Sequence, residues 1–326
     1  MKSIFKLMGI FLMVLILVIG GIGYFAYDQL QPANQSIQDR TSFVIPKGQA
    51  ITIIANRLKE AGLIKNPLAF RVFVKLQKLE GQIQAGSFEL SPSMSLNELA
   101  TELTKGTNDV WITIPEGWRI EEIAEMLSKQ NLPEFDQKEF IELAAGNEGY
   151  LFPDTYLIPK MATSQSIYDL LTNTFDKKVT QGLADELTAS SHTLKENLTM
   201  ASVVEREARG YEQMRHVAGI LWHRVDINMA LQADATIQYA KGYNRIEQSW
   251  WAPPSASDRT FQSAFNTYLT PGLPPHPIAN PGLEAIKATL DPVKTDDLFY
   301  IHDRQGVLHY AKTLEEHNQN IQKYLR

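Results

Sequence analysis

Leu7 to Tyr27 (LMGIFLMVLILVIGGIGYFAY) is a run of 21 residues without a charge, and it restricts what this chain can fold into more than any other segment. About 20 apolar residues in a helix match the hydrocarbon thickness of a bilayer, and a lone segment in lipid must be helical because only a helix satisfies its own backbone. The run therefore predicts a single transmembrane helix over residues 7–27. Lys2 and Lys6 precede it, Asp28 follows it, and no positive charge recurs until Arg40. The positive-inside tendency then leaves residues 1–6 in the cytoplasm and the bulk of the chain on the periplasmic, or extracytoplasmic, side of the inner membrane. No small-x-small cleavage site follows the run, which favours a retained anchor over a signal peptide.

The remainder reads as an exported, folded protein. Charged residues make up 21% of the chain and no later run approaches spanning length, so a bundle of membrane helices is ruled out. There is no cysteine, which removes disulfides, thiol catalysis and cysteine-ligated metal centres. A net charge of -6 argues against a nucleic-acid partner, which calls for a basic face. Residues 28–41 are polar, with no apolar period, and read as a short linker.

After the linker the sequence repeats. Phe43-Val-Ile-Pro-Lys-Gly48 followed by Ile51, Ile54, Ala55 and Leu58 is matched by Ile112-Thr-Ile-Pro-Glu-Gly117 followed by Ile120, Ile123, Ala124 and Leu127, at a constant offset of 69 residues. Each copy is a β-rich run, a Pro-Gly turn and apolar residues at helical spacing, hence a strand leading into a helix. Leu68 to Leu76 predicts a second helix, Ala85 to Leu90 a returning strand and Leu96 to Leu103 another helix. Residues 42–108 thus form a small βααβ module, which resembles the LysM-like modules that bind glycan strands. The predicted fold class is α+β, with the mixed α/β remainder, residues 109–326, as a second domain.

Chemistry concentrates in that second domain. Thr199-Met-Ala-Ser-Val-Val-Glu-Arg-Glu-Ala208 is strongly helical, and at 100° per residue Glu207 shares the apolar stripe of Met200, Val203 and Val204. A carboxyl on an apolar wall is desolvated when charged, so its pKa rises and it can serve as a general acid near neutral pH. Glu205 faces nearly the opposite way, with Arg209 at i+4 and Gly210 ending the helix, and reads as a supporting carboxylate. Downstream, Val217 to Val225 predicts a core helix, and Leu298–Ile301 with Val307–Tyr310 a β-hairpin followed by a helix from Thr313. Thr270 to Gly282 carries five prolines in thirteen residues; fixed φ and missing donors make it a stiff, ordered loop of the kind that lines functional sites. Glu212, His216 and His223 fall near one helical face, but no His-Glu-x-x-His pattern occurs, so no metal is expected. No Gly-x-Ser-x-Gly elbow supports a serine hydrolase.

Four motifs in order, Ala201-Ser-Val-Val-Glu-Arg-Glu207, Leu231-Gln-Ala-Asp-Ala-Thr236, Phe265-Asn-Thr-Tyr268 and Leu273-Pro-Pro-His-Pro-Ile-Ala-Asn-Pro-Gly282, resemble the MltG (YceG-like) endolytic murein transglycosylases over essentially the whole chain. Two positions depart from the family pattern: Ala235 stands where proline is common and Phe265 where tyrosine is. The resemblance implies cleavage of the β-1,4 bond between N-acetylmuramic acid and N-acetylglucosamine in nascent peptidoglycan, leaving 1,6-anhydromuramoyl ends and terminating strand elongation. It implies Glu207 as the acid/base and no cofactor, with penicillin-binding proteins as neighbours. In that scheme Asn266 and Tyr268 face the developing oxocarbenium ion, Gln232 and Asp234 line the cleft and Glu205 supports the site. A non-catalytic, membrane-anchored glycan-binding scaffold is the reading from another class. The requirement for Glu207 separates the two.

Overall fold

Along Thr41–Ile45 (β1) Phe43 and Ile45 are buried and the residues between them exposed, the period-two pattern of a strand with one covered face. The computed structural model describes residues 13, 17–21, 23–46, 48–105 and 109–325 of the chain, which divide into two compact units, Met1–Val110 and Trp111–Arg326. In the first unit β1 leads into Ile51–Glu60 (α1), which buries Ile54, Ala55 and Leu58. Pro67–Leu76 (α2) starts with proline and is capped by Asn66, whose side chain accepts from the Leu68 and Ala69 amides. Both devices satisfy or remove orphan helix donors. Gly86–Leu90 (β2) returns antiparallel to β1 with Phe43 opposite Phe88, and Leu96–Glu102 (α3) follows behind a Ser95/Glu98 capping box. The order strand, helix, helix, strand is the one the sequence predicts.

The second unit opens on a full copy of the same arrangement. Val110–Thr113 (β3), Ile120–Ser128 (α4), Gln137–Ala144 (α5), Thr155–Ile158 (β4) and Ser164–Phe175 (α6) repeat the element order, and β3 pairs with β4 as β1 does with β2. Equivalent core positions are buried: Leu58 and Leu127, Phe70 and Phe140, Leu99 and Ile167. Ser95 and Thr163 cap equivalent helices, and Glu80-Gly81 corresponds to Glu148-Gly149. In the sequence alone, only the opening strand, turn and helix of each copy stand out.

Around this second copy the rest of the unit is mostly helical. A π turn (Asp176–Gln181) continues α6, and Ala184–Ala189 (α7), Leu194–Glu207 (α8), Tyr211–Asp226 (α9), Asp234–Lys241 (α10) and Leu283–Leu290 (α11) follow. α8 starts on a Thr193/Glu196 capping box and is buried continuously from Asn197 to Val204; a helix covered all round is the centre of its domain. It packs on α9 and α11, where a Cβ at Gly219 of α9 would lie 2.0 Å from the Val293 carbonyl oxygen. Only glycine permits that approach. Phe299–His302 (β5) and Leu308–Ala311 (β6) form the antiparallel hairpin, and Leu314–Tyr324 (α12) closes the chain.

Two expectations need restating. α8 ends at Glu207, with Ala208 already extended, and Gly210 (φ 76°) starts α9 instead of ending α8. Residues 1–12, 14–16 and 22, with much of the predicted transmembrane run among them, lie outside the described residues. Of the remainder, 17–21 and 23–30 are helical, and Leu17, Tyr24 and Phe25 are exposed. Among the described residues no helix is long and apolar enough to cross a membrane.

Candidate active site

α8 delivers Glu207 at its last turn, where the helix leaves the core and two cavities meet. One, of about 760 Å³, is lined by Glu116, Glu205, Arg206, Glu207 and Asp234 among others; the second, of about 340 Å³, by Glu207, Arg224, Gln232, Asp234, Tyr268 and Tyr300 among others. Glu207 and Asp234 belong to both walls. Glu207 as a residue is half-buried, and its surroundings exclude enough water to push its pKa up to about 6. The negative charge of Asp234 adds to that rise, while the Tyr300 hydrogen bond and the Arg224 and Arg206 guanidinium groups oppose it. Tyr300, from β5, donates its hydroxyl to Glu207 Oε2 at 3.0 Å. Arg224, from α9, is itself held by the Leu298 and Leu231 carbonyls. A carboxyl so placed carries a proton in mildly acidic solution and can lose it to a nearby group, the property a general acid requires.

Glu205 occupies the larger cavity in a different state. Its Oε2 accepts the Gly282 amide at 2.9 Å, and burial, opposed by that bond and reinforced by Glu116, pushes its pKa up to about 7. The predicted pairing with Arg209 does not form, because the helix ends at Glu207 and Arg209 is no longer one turn above Glu205. Glu205 braces the proline loop. Glu116 lies on the same wall and is also raised, chiefly by burial and then by the charge of Glu284.

Asp234 and Tyr268 meet directly: the Tyr268 hydroxyl donates to Asp234 Oδ1 at 2.7 Å. The tyrosine pKa is pushed up to about 12, by burial first and then by that carboxylate. Gln232 is exposed on the smaller cavity and adopts φ 54°, a left-handed conformation that costs energy for a residue with a Cβ. Its amide is pinned to the Thr267 carbonyl. Asn266, expected with Tyr268 to face the developing oxocarbenium ion, lines neither cavity. The side chain is 0% exposed; its Nδ2 donates to the Arg259 and Phe261 carbonyls and its Oδ1 accepts the Tyr268 amide. With its hydrogen-bonding capacity taken by the loop, Asn266 shapes the turn that presents Tyr268.

The proline loop is fixed by a residue that sequence reasoning passed over. Asn280 is fully buried. Its Oδ1 accepts the Gly149 and Leu151 amides, both at 2.9 Å, and its Nδ2 donates to the Trp118 carbonyl and to Glu148 Oε1. Its backbone exchanges both hydrogen bonds with Gly117 and Trp118. Glu148 is buried with it and pushed up to about 8, mainly by loss of water. Two residues before, the Ile278 amide donates to Ser202 of α8, and two residues after, Gly282 reaches Glu205. Nothing local marks Tyr300 or Arg224 as site residues, since Tyr300 reaches Glu207 and Arg224 reaches the Leu298 carbonyl across long stretches of chain; Asn280 lies within the proline-loop motif, but its partners are distant in sequence. The Glu148-Gly149 pair, echoing Glu80-Gly81, was the available signal for the Asn280 cradle. Among the described residues no three His, Cys, Asp or Glu converge as metal ligands; His216 faces Asp297 and His223 the Thr295 carbonyl.

Known proteins match this chain throughout. The sequence pattern of the YceG-like family fits residues 43–323. The endolytic murein transglycosylase of Streptococcus pneumoniae serotype 2 (strain D39 / NCTC 7466) is 30% identical over 97% of this chain, which spans only 64% of that relative's length. The enzyme of the same name from Bacillus subtilis (strain 168) is 30% identical over 95% of this chain and 91% of its own. The crystal structure of a yceG-like protein from Listeria monocytogenes superposes with a TM-score of 0.54 at 28% identity, over 86% of this chain and 99% of that one.

Proposed function

Since the chain belongs to the YceG-like family, we propose that it is a membrane-anchored endolytic murein transglycosylase in which Glu207 is the single acid/base. One observation carries this reading: a protonatable carboxyl, raised to about 6, sits where two cavities meet. Hydrolases that act on glycosides ordinarily place a second, ionised carboxylate to attack or to activate water. Here the neighbouring Glu205 is tied to the Gly282 amide and itself raised to about 7, while Asp234 accepts from Tyr268. A reaction that needs one carboxyl fits this arrangement better. Glu207 gives its proton to the glycosidic oxygen of the β-1,4 bond between N-acetylmuramic acid and N-acetylglucosamine as that bond breaks. The carboxylate left behind takes the proton of the substrate's own C6 hydroxyl, whose oxygen closes on C1 to give the 1,6-anhydro end. Glu207 finishes as it began, and no water is consumed.

Two cavities that share Glu207 as a lining residue suit a strand that continues past the cleaved bond, which supports internal cleavage. Asp234 stabilises positive charge developing at the sugar ring, with Tyr268 holding it in place. The apolar run 7–27 anchors the enzyme in the inner membrane, and the LysM-like module at 42–108 holds glycan. The activity is then directed at nascent strands beside penicillin-binding proteins, where cleavage ends elongation.

The pH profile tests the role of Glu207. Turnover needs the protonated acid, so it is full below about pH 6 and declines as pH rises through that value. The Tyr300 hydroxyl favours the ionised carboxylate. Tyr300→Phe therefore raises the Glu207 pKa, and the high-pH limb should move upward by about one unit, the size expected for losing a hydrogen bond to a charged group. A limb that stays in place or moves to lower pH would assign the titration to another group.

A further inference from the structure

A second groove of the Trp111–Arg326 unit lies beside the catalytic cavities without taking part in them. It measures about 370 Å³ and is lined by the aromatic residues Trp118, Tyr243 and Trp250 together with Glu122, Glu125 and Lys129. The aromatic corner is built, not incidental. Asn244 and Ser249 bridge to form a short hairpin, which sets Tyr243 edge-on to Trp250 at 5.2 Å, and the Arg119 guanidinium packs on the Trp250 ring at 4.6 Å. Trp118 is fixed by its backbone pairing with Asn280. Tyr243 remains 44% exposed.

The groove adjoins the catalytic cavity across one thin ridge. Glu116 faces the cavity and Trp118 the groove; two residues apart, their Cα atoms are separated by no more than about 7 Å. Arg206 of the cavity stacks on Trp251 at 3.9 Å, and the Trp251 indole donates at 2.8 Å to Glu122, which lines the groove. One ligand can therefore run from Glu207 over the Arg206–Trp251 ridge into the groove.

We propose that this groove is a distal subsite for the glycan strand cleaved at Glu207, binding sugar rings several units from the scissile bond. The inference rests on the proposed transglycosylase reading for the identity of the polymer. Aromatic faces match the C–H faces of pyranose rings, and the carboxylates, amides and ammonium that line the same groove match hydroxyl and N-acetyl groups. Such a subsite lets binding energy far from the reacting bond hold the strand in register.

The test is a length dependence in the full-length, membrane-anchored protein. The ratio of kcat/KM on long strands stripped of peptide stems to kcat/KM on a short oligosaccharide should fall about tenfold in Tyr243→Ala, the loss of one aromatic contact, and be retained in Tyr243→Phe. Direct binding of the stripped strands, which needs no turnover, should weaken to the same degree. An unchanged ratio and unchanged binding would overturn the subsite. A defect confined to strands that still carry stems would assign the groove to the peptide and equally overturn it. If the wild-type protein binds stripped strands through Tyr243 yet releases no anhydro ends, the groove stands and the proposed reaction falls.

Discussion

Glu207→Gln should lower glycan cleavage by roughly a thousandfold, within the range that a positioned general acid contributes, while leaving the thermal transition in place. Glutamine keeps the shape of the side chain and an oxygen to accept from Tyr300, but has no proton to give to a leaving oxygen. It also removes the repulsion between Glu207 and Asp234, so stability should hold or rise slightly at pH 7. The sign follows from the raised pKa: the folded protein holds this proton more tightly than the unfolded chain, so ionisation above pH 6 works against folding, and the neutral substitute escapes that penalty. Retained activity in this variant, with the fold intact, would show that the proton comes from elsewhere.

Asn280→Ala should be the most destabilising single change around the site. The substitution strips two buried amides, Gly149 and Leu151, of their acceptor and deprives Glu148 and the Trp118 carbonyl of a donor. Each buried group left unpaired costs about 1–3 kcal/mol, so a total near 4 kcal/mol is expected, a size that marks a broken network. Denaturant unfolding at pH 7 measures it, and a loss under about 1 kcal/mol would mean that the prolines and the loop's remaining hydrogen bonds hold it without the Asn280 side chain. Because Gly282, two residues on, holds Glu205, the variant should also lose activity at temperatures where it remains folded.

These two residues differ in how far the sequence could disclose them. Helical spacing put Glu207 on the stripe of Met200, Val203 and Val204, but α8 is buried all round from Asn197 to Val204, so spacing alone does not set Glu207 apart from Glu205. Asn280 had no such pattern, since its partners lie some 130 to 160 residues away. The internal repeat was legible only in part for a geometric reason. The first strands and helices keep a 69-residue offset, but the second helices match at 70 (Phe70 and Phe140) and the later elements at 68 (Ser95 and Thr163). One residue added in a loop and two removed in the next hide the second half from any fixed-offset comparison. Arg209 failed as a partner for Glu205 because the position at which a helix stops depends on what packs beyond it. Asn266 was misplaced because a polar residue in a motif looks the same whether it faces a ligand or its own loop. The burial and the three loop hydrogen bonds that distinguish the cases are tertiary.

The products released from purified glycan strands decide the chemistry most directly. If Glu207 acts alone, with the substrate's C6 hydroxyl as the attacking group, mass spectrometry should find muramoyl ends lighter by one water than hydrolysed ends and resistant to borohydride reduction. They should terminate fragments of many lengths, as cuts within strands produce, and be absent with Glu207→Gln. Reducible muramoyl ends carrying the extra water would contradict this, since they would require a second group that activates water.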